Sequence, residues 1–313
     1  FERYTRETGA IVAMLLPFRM DFYRNMGYGY GSKLEEYRIP SLSLPKWEGP
    51  RLIRFLGPED TEKMLECQKA FAGIYHGMVV KFEDEIRAMH ADTRSKRIGC
   101  FADGMLKGYA VYDLVSESPV NYTLNSIDIK ELVYLDSDSL RAILGFFREQ
   151  ADLAQTVTLR TGEEDFYHIL PSAQDISGNY IDFGFLQTNV GAVGTMYKIV
   201  DPPAFVRATS HRQFPAAELT VAFDYYDELA HEDKTFAVSF KPSDDGCSSR
   251  WTEAGGADCD VRIKCCLADM SSLFMGSCRF SSMLRLGAFS LSDGSFCNIL
   301  DDLFYCRQTP WTN

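Results

Sequence analysis

The group in this chain most suggestive of chemistry is the phenol of Tyr23, in the stretch FYRNMGYGYG that runs from Phe22 to Gly31. Before it lies the apolar run GAIVAMLL, Gly9 to Leu16, and after it SKLEEYRIP. The run is too short for an ordinary helix and suits a strand buried on both faces. Pro17 then opens a helix, Phe18, Phe22 and Met26 recur every four residues as one helical face does, and Gly27 stops it. Tyr23 falls one position off that stripe, at the helix edge, where its hydroxyl can look along the end of the preceding strand. Burial habits alone would instead make it a core tyrosine with a satisfied hydroxyl.

The other candidate groups are less eloquent. Of nine cysteines, seven (Cys247, Cys259, Cys265, Cys266, Cys278, Cys297 and Cys306) lie in the last quarter of the chain, with no CxxC spacing, and the five histidines are scattered. Zinc ligands come in closely spaced pairs, so no metal site is expected and the cysteines read as reduced, small core hydrophobes. Glu35 and Glu36 offer negative character toward amines, or simply a solvated strand face.

With 313 residues the chain exceeds one ordinary domain and is expected to split into two or three. A hydrophobic fraction of 46% with 24% charged residues is globular, and no apolar stretch is long enough to cross a bilayer. The formal net charge of -12, without clustered Lys and Arg, argues against a nucleic-acid partner and is compatible with an amine substrate. Phe1 opens the chain without a methionine, and a strand there has no partner before it, so further sequence is expected upstream. A cytoplasmic location is expected, with secretion left open.

The elements that must hold these groups follow in order. Ser32 to Ile39 reads as a strand, and Pro40 to Pro50, with three prolines and a glycine, as a linker. Then come two helical segments, PEDTEKMLECQKAF and FEDEIRAMH, and two strands around Asp103-Gly104, a two-residue hairpin signal. A long strand through IDIKELVYL leads to a helix capped at Ser139, with Leu140, Ile143, Leu144, Phe147 and Ala151 at helical spacing. The strands TVTLRT and GTMYKIV follow. In VRIKCCL the residues Val261, Ile263, Cys265 and Leu267 share one face and Arg262 and Lys264 the other, as in a half-buried sheet.

This order resembles the GNAT acetyltransferase fold. The segment LLPFRMDFYRNMGYGYGSKLEEYRIP resembles the end of the first acetyltransferase domain of the enhanced intracellular survival family. The resemblance implies an α/β fold with mixed sheets in three domains: residues 1–45 as the C-terminal part of a first GNAT domain, 51–206 as a second, degenerate GNAT domain, and 214–313 as a sterol-carrier-like domain. It also implies transfer of an acetyl group from acetyl-CoA to a primary amine of aminoglycoside, polyamine or lysine type, by direct attack without a metal. Tyr23 matches the proposed general acid of that family. A phenol of pKa about 10 is suited to protonate a departing thiolate whose thiol has a pKa of about 8.5. Phe18 would line the acetyl pocket.

The same resemblance puts the pyrophosphate loop upstream of Phe1. Such loops use backbone N–H groups at a helix start and tolerate few side chains. The matching junction of the second domain, VYLDSDSLRAIL, lacks glycine and carries Asp136 and Asp138, so that domain is expected to be structural. The family brings its C-terminal carboxylate to the active site; here the chain ends TPWTN, and Asn313 is not assigned that role. A hexamer is expected from the family. The alternatives are a lipid carrier built on the last domain and a catalytically inactive scaffold.

Overall fold

The computed structural model describes residues 2–50, 52–244, 246–256 and 258–306. The chain forms two compact units, one holding Lys33–Ala192 and the other combining the segment up to Ser32 with the chain from Val193 onward. Neither corresponds to a simple cut of the sequence into the blocks 1–45, 51–206 and 214–313. Lys33–Pro40 is a strand of the sheet that otherwise uses later residues, and Met196–Ile199 is a strand beside the earliest ones.

The unit Lys33–Ala192 is built on a seven-stranded sheet in the order Val190–Val193, Lys33–Pro40, Thr156–Thr161, Asn125–Tyr134, Met105–Ser116, Lys96–Ala102, Leu52–Phe55. The Asp103-Gly104 turn joins Lys96–Ala102 to Met105–Ser116 as expected, both residues taking positive φ (51° and 76°), which a two-residue hairpin turn of this hand requires. The helix Ser137–Glu149 buries Ala142, Ile143, Leu144 and Phe147 in a cluster with Ile98, Tyr112, Ile127 and Leu159. Helices Thr61–Ala72 and Glu83–Ala91 place Met64, Phe71 and Ile86 in a second cluster with Tyr109, Val111 and Val133.

Two expectations are corrected in this unit. The helix cap is Asp136, whose carboxylate accepts from the Ser139 N–H at 2.7 Å and the Ser139 hydroxyl at 2.6 Å; Ser139 is inside the helix. Two polar residues three apart offer the same cap signature, and the one with the extended backbone takes the role. The stretch Pro40 to Pro50 is no loose linker either. Ser41 and Leu44 are fully buried, the Ser41 hydroxyl donates to the Ala154 carbonyl at 2.6 Å, and Trp47 packs on Gly145.

In the other unit, Val12–Leu15, Met196–Ile199 and Gly29–Tyr30 form a three-stranded antiparallel sheet with Met196–Ile199 in the middle. A six-stranded sheet runs Phe214–Pro215, Ser248–Ala254, Glu232–Pro242, Leu219–Asp227, Val261–Cys266, Ser290–Leu291. Val261 and Ile263 are buried, as the alternation in VRIKCCL predicts, and join the helices Leu267–Phe274 and Cys297–Phe304 in one aromatic core. Among the described residues no helix is long and apolar enough to cross a membrane.

Candidate functional site

The helix around Tyr23 is shorter and barer than its sequence suggests. It spans Met20–Arg24, has no side-chain cap and buries none of its residues. The apolar run before it is also not buried on both faces: its strand is Val12–Leu15, Met14 is 44% exposed, and Leu16 and Phe18 reach 73% and 79%. The period of four residues is real, but the rings it aligns pack on one another instead of under a second layer. Phe18 lies 5.9 Å from Phe22 and 5.5 Å from Tyr23, and Tyr23 sits edge-on to Tyr28 at 5.8 Å.

Tyr23 is half-buried, and among the described residues no hydrogen bond is made by its hydroxyl. Its backbone is fixed instead. The Tyr23 carbonyl accepts from the N–H groups of Met26 (2.9 Å) and Tyr28 (3.1 Å), and Gly27 takes φ +84°, a value that an L side chain would resist. The alternating glycines are explained by close approach. A Cβ at Gly29 would sit 2.1 Å from the Ala268 carbonyl oxygen, so the turn lies directly on the helix Leu267–Phe274.

That contact is reinforced by polar groups that sequence reasoning missed. Arg24 Nη1 lies 2.7 Å from Asp269 Oδ1, Ser272 Oγ donates to the Tyr30 carbonyl at 2.9 Å, and buried Lys198 donates to the Met26 carbonyl at 2.7 Å. The only hint in the sequence is a carboxylate in the first turn of LADMSSLF, a helix whose residues are all buried. Of the other expected site residues, Phe18 is brought to Tyr23 by ring contact. Glu36 is engaged in ion pairs with Arg38 and Arg160, and Glu35 accepts from Asn189, so both serve the central sheet. Asn313 lies outside the described residues.

The central sheet carries a second set of titratable groups. Asn125–Tyr134 and Thr156–Thr161 run parallel but pair only through Ser126–Asp128 and Thr156–Thr158, and part beyond. Across the opening, Glu163 accepts from the hydroxyls of Tyr134 (3.2 Å) and Tyr75. Buried Glu131 accepts from the Tyr109 hydroxyl at 2.7 Å and pairs with Lys81 at 2.6 Å. Burial, with the neighbouring carboxylates adding to it, pushes the phenols of Tyr75 and Tyr109 up, so they stay donors. Tyr75 and Lys81 flank one connection, which is thus anchored to the loop after Thr161 and to the strand Asn125–Tyr134. A cavity of about 250 Å³ lined by Lys81, Lys130, Asp92 and Glu131 adjoins it. Among the described residues no group of three or more His, Cys, Asp or Glu side chains is placed to hold a metal ion.

Residues 77–186 match the family described as Acetyltransferase (GNAT) domain. Over those residues the chain is similar to GNAT acetyltransferase domains. Solved structures extend the likeness of fold to the whole chain. A GCN5-related N-acetyltransferase from Anabaena variabilis superposes with a TM-score of 0.76 at 16% identity, covering 99% of this chain and 74% of that one. An Eis protein from Mycobacterium abscessus gives 0.72 at 19%, covering 99% and 75%. A probable N-acyltransferase from Enterococcus faecalis gives 0.76 at 16%, covering 100% and 74%. No curated protein matches the sequence. The mixed sheets and the GNAT domain support an N-acetyltransferase.

Proposed function

We propose that the protein transfers an acetyl group from acetyl-CoA to a primary amine, with Tyr23 as the general acid. The GNAT match over residues 77–186 carries the acyl-transfer part of the reading. In the reaction the amine nitrogen bonds to the thioester carbonyl carbon and releases one proton to solvent, the C–S bond breaks, and the leaving thiolate takes the phenol proton, which solvent returns to Tyr23. The half-buried Tyr23 hydroxyl, which makes no hydrogen bond among the described residues, favours this role, because a donor already committed to a protein acceptor would have to give that bond up. Phe18 and Phe22 offer an apolar wall beside it. Mass-spectrometric screening of aminoglycosides, polyamines and lysine peptides with acetyl-CoA tests the reading and identifies the acceptor; no acetylated product from any of the three classes would count against it.

The central domain is proposed to be structural, with 1–45, 51–206 and 214–313 as the three parts of the evolutionary plan and the last of sterol-carrier-like type. At the central strand-to-helix junction the Asp136 carboxylate already occupies the Ser139 N–H, one of the groups that a pyrophosphate would need, and its charge repels a second anion. That junction does not fit the cofactor. Asp136→Ala is expected to lower stability by about 0.5–2 kcal/mol through loss of the cap, and to leave acetyl-CoA affinity unchanged. Calorimetric unfolding and ligand titration on the same variant check both. A tightened affinity would put the cofactor at this helix.

One observation favours a second reading. The family match and the cavity beside Glu131 both fall in the central domain, where a buried carboxylate resembles a base. Against it, that carboxylate is already paired with Lys81 and Tyr109.

The protein is also proposed to self-associate, as the family resemblance implies for a hexamer. The hairpin of Tyr180–Asp182 and Phe185–Leu186 supports this, with Ile181, Phe183 and Phe185 exposed at 76%, 97% and 68%. Light scattering is expected to give an oligomer that Phe183→Asp weakens; a wild-type monomer at micromolar concentration would remove the claim.

A further inference from the structure

We infer that Asp269 is a positioning residue for Tyr23, acting through Arg24. The inference rests on the proposed role of Tyr23 as proton donor. Its physical ground is that the Tyr23 helix does not hold itself in place. Five residues make barely more than one turn, none of them is buried, and an isolated helix this short is unstable in water. Its orientation must come from outside, and the strongest outside link is the one made by the very next residue.

Arg24 and Asp269 stand 245 positions apart in sequence, yet Nη1 and Oδ1 lie 2.7 Å from each other, with side chains only 26% and 11% exposed. Asp269 is fixed in turn. Its second oxygen, Oδ2, accepts from the Cys266 thiol at 3.2 Å, and burial, foremost, pushes that thiol up to about 12, so it remains a donor at neutral pH. On the other side the Arg24 guanidinium lies over the Tyr30 ring, 5.0 Å from its centroid. Burial is the largest influence and works against the Arg24 charge, but the hydrogen bond and charge of Asp269, with Cys266 and Tyr30 adding to them, together outweigh it and hold the guanidinium above its ordinary value.

A partly buried ion pair of this kind is a poor source of stability, because desolvation offsets much of the attraction, but it is a good source of geometry. Here the geometry it sets is that of the helix edge carrying the phenol. Lys198 on the Met26 carbonyl and Ser272 on the Tyr30 carbonyl fix the turn that follows, so Arg24 is the link nearest Tyr23 along the chain. A proton donor displaced by about 1 Å can lose on the order of a hundredfold in rate, so a link that adds little stability can still be worth much to turnover.

The test introduces fluorotyrosine at position 23 of the full chain and compares wild type with Asp269→Asn by fluorine NMR, together with melting temperature, kcat and KM. The expected result is a displaced or broadened fluorine resonance, a fall in kcat of about ten- to a hundredfold, and little change in KM or melting temperature. In the Tyr23→Phe background, Asp269→Asn should add no further loss, because both changes remove the same contribution. Arg24→Gln should reproduce the fluorine change and Arg24→Lys should largely restore it, which keeps the idea testable should Asp269→Asn fold poorly. An unchanged resonance in folded Asp269→Asn and Arg24→Gln overturns the inference, and so does an additive loss in the double variant. If Tyr23→Phe alone leaves turnover intact while the resonance still moves, Asp269 positions Tyr23 but the general-acid reading fails.

Discussion

Tyr23→Phe is expected to lower kcat by about 10² to 10⁴-fold while leaving the KM for acetyl-CoA nearly unchanged. The hydroxyl matters only as charge develops on the departing sulfur, so its removal takes away transition-state stabilisation and leaves ground-state binding alone. The structure sharpens the contrast with a packing role. Because no described residue accepts from this hydroxyl, its loss strands no buried partner, and the cost in stability should fall below the roughly 1 kcal/mol typical of a deleted hydrogen bond. Turnover and melting temperature measured on the same preparation separate the two roles. A drop well above tenfold in a protein that melts like wild type supports the acid. Equal turnover would return Tyr23 to a wall residue, and a collapse on Glu131→Gln in parallel would move the site to the central domain.

Trp251→Ala should cost about 3–5 kcal/mol, read as a shift in the urea midpoint. Trp251 is fully buried at the centre of the six-stranded sheet's core, with ring centroids 4.8 Å from Phe214 and 5.4 Å from Phe274, and its indole N–H donates to the Thr209 carbonyl at 3.1 Å. Phe274 in turn stacks on Phe304 at 5.6 Å. The change removes ring packing and orphans a carbonyl. The same position weighs on the lipid-carrier reading, since a carrier needs an open apolar tunnel and these rings fill the space between sheet and helices. A cost under about 1 kcal/mol would mean that the core was already loose enough to admit a ligand.

What the sequence made legible was local. The Asp103-Gly104 turn, the amphipathic helix after Tyr134 and the alternation of Val261 to Lys264 each carry their own geometry within a few residues, and each forms as read, save that the helix is capped by Asp136. The pairings that define the units are between distant segments. Val12 opposite Ile199 and Glu35 opposite Thr161 leave no trace in composition or period. For the same reason Tyr23 could be singled out from its helix edge, whereas Arg24 and Asp269 could not be joined. The exposed stripe of Phe18 and Phe22 misled because periodicity reports that residues share a face, and says nothing of what lies against it.

The sheet that pairs Val12–Leu15 with Met196–Ile199 has a consequence for how the protein is made. On the ribosome the Tyr23 segment emerges before the strand that completes its sheet and the helix that seats its turn, which follow only after the whole of Lys33–Ala192 has been synthesised. At about 5–20 residues per second that is a delay on the order of ten seconds, during which the apolar run and its aromatic neighbours wait without that strand. The central unit can close first, since all but the last strand of its seven-stranded sheet are present by Thr161. Maturation of the proposed acid is thereby placed late in synthesis, and a chain truncated before residue 267 would carry Tyr23 without the helix that holds it.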